Sequence, residues 1–279
     1  MNHLNRSGLC FRSGLCFQSG LRLQRGLCLQ RGFLLALLTF FFALSASAQN
    51  PALNGYDRLL KKYVNANGLV NYAGLATERA ALDAYTAYLA ELSPKDYERW
   101  NDKEKMAMWI NAYNAYTLVS ILDATPIKRT SFAHPKNSIR QIKGVWKEKQ
   151  WPVMGSGITL DDMEHKRLRR DWMEPRIHMA IVCASIGCPS LRPEAFRGAI
   201  LETQLAEQTR AFFADRQHFS VDTKRKQLNL SKLFEWFGED FGDVATFAAP
   251  YVDAPTAAFL KAGDYKTAYL KYDWTLNAQ

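Results

Sequence analysis

The longest helical pattern in the chain covers residues 102–122, where apolar side chains recur at spacings of three and four. Trp109 and Tyr113 belong to this pattern, and apolar residues continue around nearly the whole circumference. A helix that is apolar on most of its faces is typical of a protein interior. The pattern therefore predicts a long, buried central helix that ends before Pro126.

Shorter patterns predict the remaining elements of the fold. Helical spacing indicates helices at 56–65, 77–92, 159–169, 199–214, 233–241 and 256–262, with a further helix beginning at Pro94. Apolar or alternating runs indicate a strand and turn at 151–157 and strands at 177–183, 219–222, 227–230 and 267–272. The strands at 219–222 and 227–230 are predicted to form a hairpin. No stretch after Tyr56 has the composition of a linker. The sequence therefore predicts a single, helix-rich α+β domain whose long buried central helix packs on a small sheet.

The first 48 residues have the features of a targeting segment. An apolar run at 33–44 follows Arg31 and precedes Ala46-Ser47-Ala48, an arrangement typical of a secretory signal peptide. The run is short for a membrane span, which needs about 20 apolar residues, but an uncleaved anchor stays the alternative. Upstream, residues 7–32 repeat a short low-complexity unit. We expect a signal peptide at about 31–48, cleavage after Ala48, and an exported domain at 49–279 with no membrane span.

Composition and charge narrow the classes of function. With 48% hydrophobic and 23% charged residues, the 279-residue chain is typical of a folded globular protein. The net charge of +9 owes more than half to the five arginines of residues 1–48, which contain no lysine and no acidic residue. The remainder has no basic stripe with interleaved aromatic residues, so we predict no nucleic-acid partner. The expected ligand is a small molecule or a peptide-like compound, and the oligomeric state stays open.

Two cysteines, Cys183 and Cys188, lie outside the first 48 residues, in a C-x4-C arrangement. In an oxidising compartment an even number of cysteines favours a disulfide. Alternatively, a cysteine that ends a strand before a loop or helix can be exposed and have a lowered pKa, as a nucleophile requires. A zinc site that combined this pair with His165 and His178 lacks the usual ligand spacing. We therefore predict neither a metal nor a cofactor.

Two asparagines, Asn111 and Asn114, interrupt the apolar surface of the central helix. Asparagine is unfavourable inside a helix because its side chain competes for backbone hydrogen bonds. Buried asparagines therefore need partners. They either orient a catalytic group or donate to a developing oxyanion, or they tie the helix to a neighbouring loop.

Two histidines are further candidates. His165 lies four residues after Asp161 on a predicted helix, with Glu164 about a quarter-turn away, and a carboxylate can tune an imidazole near neutral pH. His178 follows Arg176 and begins an apolar run that ends at Cys183. In a regular strand His178 and Cys183 would point to opposite faces, which opposes a simple Cys–His dyad.

Six segments resemble the DUF547 family, in that family's order and over roughly Tyr56 to Asn277. They are Met108–Asn114, Leu160–His165, Arg176–His178, Cys183–Pro189, Leu233–Phe237 with Asp240–Phe241, and Tyr272–Asn277. The resemblance implies no activity, because the family is named for having no assigned function. Its members include exported bacterial proteins and plant proteins with an added leucine zipper, which this chain lacks. The family's polar positions are matched here at Asn111, Asn114, Glu164, His165, Arg176, His178, Cys183 and Cys188.

Three hypotheses of function follow. The first is an exported enzyme for acyl transfer or amide hydrolysis, similar in logic to transglutaminases and papain, with Cys183 or Cys188 as nucleophile. His178 or His165 would be the base, Glu164, Asn111 or Asn114 would orient it, and Arg176 and Cys188 would contribute to binding. The second is a non-catalytic exported binding module with a structural Cys183–Cys188 disulfide and a buried polar network. The third is a redox-active cysteine pair.

Overall fold

The computed structural model describes residues 50–279, which form one compact unit. The predicted signal peptide and the low-complexity repeat lie outside the described residues. The first nine α-helical segments within these residues are α1 Pro51–Tyr63, α2 Tyr72–Thr77, α3 Ala80–Glu91, α4 Pro94–Glu98, α5 Asp102–Ala124, α6 Leu160–Asp162, α7 Arg169–Trp172, α8 Leu201–Ala214 and α9 Leu233–Trp236. Three more follow as α10 Gly238–Phe241, α11 Val244–Ala248 and α12 Ala254–Ala262. The strands are β1 Trp151–Val153, β2 Ser156–Ile158, β3 Phe219–Asp222, β4 Gln227–Leu230 and β5 Lys266–Tyr269.

The protein is a helix-rich α+β domain, as the sequence predicts. The predicted central helix is α5, in which every residue from Met106 to Leu122 is buried. Its start is set by a capping box: Asn101 accepts from the backbone of Glu104, and the Glu104 carboxylate accepts from the backbone of Asn101. Helix α5 therefore serves as the scaffold against which the other elements pack.

The larger hydrophobic core surrounds α5. On one side α3 lies between α5 and α1, and Tyr56 stacks on Tyr85 with ring centroids 4.7 Å apart. On another, Tyr116 of α5 stacks on Trp151 of the β1–β2 hairpin at 4.8 Å, and its hydroxyl donates to the carbonyl of Pro152. The central helix thus packs on a small sheet, and none of the helices within residues 50–279 is long and apolar enough to cross a membrane.

A second hydrophobic core lies beneath the three-stranded sheet β3-β4-β5. The predicted hairpin is confirmed with its bounds, since β3 pairs antiparallel with β4, Phe219 opposite Leu230. Strand β5 adds in parallel on the other side of β4. Phe213 of α8 packs edge-on against Phe219 at 5.0 Å, so that α8 covers the sheet.

The strand predicted at 177–183 is wrong. The chain forms a 3₁₀ helix at Pro175–Met179 and then runs without regular structure to Cys183. No strand within residues 50–279 pairs with this segment. Instead the side chain of Asn114 accepts from the backbone of Val182 at 2.8 Å and donates to the carbonyl of Ala180 at 2.9 Å. A buried backbone needs hydrogen-bond partners, and a side chain of α5 provides them.

The helix predicted at 159–169 is also irregular. Between α6 and α7, residues Met163–Leu168 form a π-helical turn, in which the backbone of Arg169 donates to the carbonyl of Glu164. A π turn inserts a residue relative to an α-helix and re-aims the side chains around it. Here it allows Glu164 to face the interior while His165 stays beside Asp161.

Candidate active site

A cavity of about 140 Å³ lies where α5, the π-helical turn, the Cys183–Cys188 loop and the C-terminal segment meet. Aromatic side chains make up about half of its walls, and thiol, carboxyl and imidazole groups lie among them. The lining residues are Tyr113, Trp146, Glu164, His178, Ile181, Cys183, Cys188, Pro189, Leu233, Trp236, Phe237, Tyr272 and Trp274. Four of the predicted site residues are therefore brought together: Glu164, His178, Cys183 and Cys188.

Both cysteines are free thiols in the structure. The backbone N–H of Cys183 donates to Sγ of Cys188 at 2.9 Å, so the loop curls back on itself. Cys188 is buried, whereas Cys183 is partly exposed. The residue that follows, Ala184, has a φ of 55°, a left-handed conformation that costs a non-glycine residue roughly 1–3 kcal/mol. The tight turn at Ala184 presents Cys183 to the cavity.

Two hydroxyl groups surround the sulfur of Cys183. Its Sγ lies 3.1 Å from the hydroxyl of Tyr272 and 3.3 Å from that of Ser185, and these two hydroxyls are 3.0 Å apart. The contact with the Cys188 thiol is the largest influence on the pKa of Cys183 and, with both hydroxyls, lowers it to about 7 although burial opposes this. Burial raises the pKa of Cys188 well above its usual value. Cys183 is thus the thiolate of the pair and Cys188 the donor.

Glu164 is the carboxyl group of the cavity. Burial, assisted by the negative charge of the Cys183 thiolate, raises the pKa of Glu164 to about 7. A carboxyl group with a pKa near neutrality can both give and accept a proton, as a general acid–base catalyst must. A side-chain hydrogen bond with Tyr113 acts in the opposite direction to burial. Nδ1 of His178 lies 4.0 Å from Oε1 of Glu164, beyond direct hydrogen-bond distance.

His178 is fixed by Asp240. Its Nε2 lies 2.6 Å from Oδ2 of Asp240, and its ring stacks on Phe237 at 4.3 Å. Burial lowers the pKa of His178 to about 4, so the ring is neutral at physiological pH. Because the Asp240 oxygen accepts, Nε2 carries the hydrogen and Nδ1 faces Glu164 as an acceptor.

Asp240 itself is held by a second partner. The guanidinium of Arg169 donates to both carboxylate oxygens, at 2.5 and 2.8 Å. Partial burial alone would raise the pKa of Asp240, but the hydrogen bonds from Arg169 and His178 outweigh it and hold the pKa below its usual value. The carboxylate therefore stays charged and keeps the imidazole in one tautomer.

The other predicted site residues lie away from the cavity wall. Asn111 accepts from the backbone of Phe196 and donates to its carbonyl, at 2.9 and 2.8 Å, much as Asn114 does with its own segment. Both side-chain amides thus tie α5 to backbone segments packed beside it, which is one of the two interpretations of these residues.

His165 and Arg176 make polar contacts outside the cavity. His165 accepts from Arg169 at 2.8 Å and lies 3.6 Å from Asp161. Arg176 forms ion pairs with Glu174 and Glu202. Neither side chain lines the cavity.

Sequence reasoning missed several residues of the site, chiefly Tyr113, Ser185, Asp240 and Tyr272. All four lie in segments that carry the family resemblance, so the resemblance could have pointed to them. Their chemistry, however, depends on contacts with residues far away in the sequence. No group of three or more His, Cys, Asp or Glu side chains between residues 50 and 279 is arranged to hold a metal ion.

Comparison with known proteins gives one match. A family model described as "Protein of unknown function, DUF547" matches residues 97–213, a range that contains α5, Glu164, His178 and both cysteines. Asp240 and Tyr272 lie beyond it. No curated protein and no solved structure matches the chain.

Proposed function

We propose a function from the chemistry of the site, because the DUF547 family, whose model matches residues 97–213, has no assigned function. We propose that the protein is a thiol-dependent enzyme that transfers or hydrolyses acyl groups, with Cys183 as nucleophile and Glu164 as general acid and base. The proposal covers esters, thioesters and amides as acyl donors.

One observation carries the proposal: a partly exposed thiol and a buried carboxyl group line the same small aromatic cavity. The thiol is activated by Cys188, Ser185 and Tyr272, and its pKa is lowered to about 7. The carboxyl group is shifted in the opposite direction to about the same value. Two titratable groups moved from their usual pKa values toward neutrality are typical of catalytic rather than structural sites.

In the first step the Cys183 thiolate attacks the carbonyl carbon of the acyl donor, and negative charge moves to the carbonyl oxygen. Burial raises the pKa of Tyr272 well above its usual value, so its hydroxyl stays protonated and can follow the charge from sulfur to oxygen. When the bond to the leaving group breaks, the departing nitrogen, oxygen or sulfur takes the proton of Glu164. A thioester on Cys183 and a Glu164 carboxylate remain.

In the second step a water molecule or an acceptor amine attacks the thioester. Glu164 takes a proton from this nucleophile, the carbon–sulfur bond breaks, and the Cys183 thiolate is restored together with the Glu164 carboxyl group. His178 acts here as a positioning residue. The Asp240 contact at 2.6 Å holds Nδ1 of His178 toward Glu164. Nδ1 thereby favours one orientation of the proton on the Glu164 carboxyl group.

The proposal includes export, which rests on the predicted signal peptide of residues 31–48. Expression in a bacterial host followed by fractionation and intact-mass measurement tests it. We expect a periplasmic product that begins at Gln49. A cytoplasmic product that retains the leader would contradict export without bearing on the chemistry of the site.

The alternative is a non-catalytic binding module with a structural disulfide. The observation in its favour is the contact of the Cys183 backbone with Sγ of Cys188 at 2.9 Å, which brings the two residues close together. Removal of such a disulfide typically costs about 2–5 kcal/mol of stability. Under this alternative Cys183 and Cys188 are oxidised and the cavity serves only to bind.

Native alkylation separates the two. The protein, purified without reductant, is treated with iodoacetamide at about pH 7, and the modified peptide is identified by mass spectrometry. The enzyme proposal expects selective modification of Cys183 and, in the untreated protein, turnover of p-nitrophenyl butyrate that is lost in Cys183→Ser. The variant Ser190→Ala, which removes a nearby hydroxyl that donates to the carbonyl of Asn67, is the control and should retain turnover.

A mass two protons light with no alkylation would mean a Cys183–Cys188 bridge and would overturn the proposal. If Cys183 is modified but no ester, thioester or amide is turned over, only the reactive thiol would remain of the proposal. Turnover retained in Cys183→Ser would move the nucleophile elsewhere.

A further inference from the structure

Arg140 lies over two tryptophans of the cavity wall. Its guanidinium carbon is 5.0 Å from the ring centroid of Trp274 and 5.8 Å from that of Trp146, and both rings line the cavity. The two rings meet edge-to-face at 6.3 Å. Arg140 is exposed, so this cation stands at the rim of the cavity, where the aromatic wall reaches solvent.

The position of the guanidinium is held without an acidic partner. Its Nε donates to Nε2 of His134 at 3.2 Å, and His134 in turn packs against Trp274 at 6.3 Å. Arg169, by contrast, is bonded to two carboxylates. No carboxylate within residues 50–279 forms an ion pair with Arg140 in the structure.

The interior of the cavity offers no competing cation. His178 is neutral at physiological pH, and the remaining lining groups are aromatic, aliphatic, thiol or carboxyl. A guanidinium stacked on aromatic rings keeps its N–H groups in the ring plane free to donate. These N–H groups form a planar fork that matches a carboxylate or a phosphate in a bidentate geometry.

We propose that the acyl substrate carries an anionic group, a carboxylate or a phosphate, which Arg140 binds at the rim while the carbonyl carbon lies against Cys183. This inference rests on the proposed function, because it assigns a substrate class to the same site. The acyl part enters the aromatic cavity, and the anion stays at the entrance, where it remains partly hydrated.

Two alkylating reagents of nearly equal size test the inference without knowledge of the natural substrate. Iodoacetate is anionic and iodoacetamide is neutral, and both form a stable bond to a thiolate. The rate constant for modification of Cys183 is measured with each, at about pH 6 and low salt, and the ratio of the two is compared among variants. We expect Arg140→Gln to lower the ratio of iodoacetate to iodoacetamide about fivefold, the factor given by two unit charges a few Å apart in water.

Three controls sharpen the comparison. Arg140→Lys keeps the charge and should keep most of the ratio. Arg129→Gln removes an arginine of the same connection between α5 and β1 that is stacked on Phe132 at 4.4 Å. Phe132 does not line the cavity, so this variant should leave the ratio unchanged. Added salt should lower the ratio of the native protein but not that of Arg140→Gln.

Each of the remaining outcomes would refute either this inference or the proposed function as well. An unchanged ratio in Arg140→Gln, with Cys183 still reactive, would refute the anionic substrate and leave the thiol enzyme standing. An equal loss of rate with both reagents would mean that Arg140 only packs against the tryptophans, which also refutes it. If Cys183 in the native protein reacts with neither reagent, the proposed function fails, and this inference fails with it.

Discussion

Replacement of Glu164 by glutamine makes the cost of the buried carboxyl group measurable. Burial raises the pKa of Glu164 from an ordinary 4.5 to about 7. Between these pH values the unfolded chain has lost the proton and the folded protein retains it, so the free energy of unfolding falls as pH rises through this window. The difference between the two pKa values corresponds to about 3 kcal/mol in the free energy of unfolding. Glutamine is nearly isosteric and never ionises, so Glu164→Gln should not lose this stability.

The assay is urea unfolding followed by tryptophan fluorescence, at about pH 5 and about pH 8. At the lower pH the native protein and Glu164→Gln should be nearly equal in stability. At the higher pH the variant should be more stable by as much as about 3 kcal/mol, while its turnover of p-nitrophenyl butyrate is lost. The control is Glu91→Gln, at an exposed position at the end of α3, which should change stability by less than about 0.5 kcal/mol at either pH.

The same pair of measurements on a Cys183→Ala background removes the charge of the thiolate. Since burial is the largest cause of the raised pKa, most of the stabilisation should persist there. An identical pH dependence in the native protein and in Glu164→Gln would refute the reasoning, because the carboxyl group would then have no raised pKa in the fold. A stabilised variant with full turnover would refute only the catalytic role.

Two further substitutions test the scaffold and the thiol. Asn114→Ala leaves two buried backbone groups of the segment before Cys183 without partners, each worth about 1–3 kcal/mol, so we expect the free energy of unfolding to fall by about 2–6 kcal/mol. Ser120→Ala, on the same helix but bonded only to that helix's own backbone, should cost less than about 1 kcal/mol, and equal losses would contradict the assigned role of Asn114. Cys188→Ala removes the largest influence that lowers the pKa of Cys183, so the pH midpoint of Cys183 alkylation should move from about 7 toward the ordinary thiol value of about 8.5. Cys188→Ser retains a donor and should move the midpoint less; a midpoint unchanged in the alanine variant would show that other groups set the acidity.

Local patterns were sufficient where a segment depends on its own periodicity. The central helix was predicted from 102–122 and observed at Asp102–Ala124, because apolar spacing and a capping box are both encoded within a few residues. The β3–β4 hairpin was predicted with its observed bounds for the same reason. Single-segment periodicity cannot report which partner a segment will meet, and the strand predicted at 177–183 was wrong for that reason.

The candidate site shows the same division between what local sequence encodes and what distant contacts add. The α+β class, the central helix and the residue types available for chemistry could be predicted along the chain, since they depend on composition and on neighbours within a turn or two. The folded structure was needed to show that His178 meets Asp240, 62 positions away, and that Cys183 meets Tyr272, 89 positions away. The pKa of a group depends on burial and on charges that such distant contacts bring to it. Candidate residues can therefore be recognised along a chain, whereas the activation of a thiol arises only when the chain folds around it.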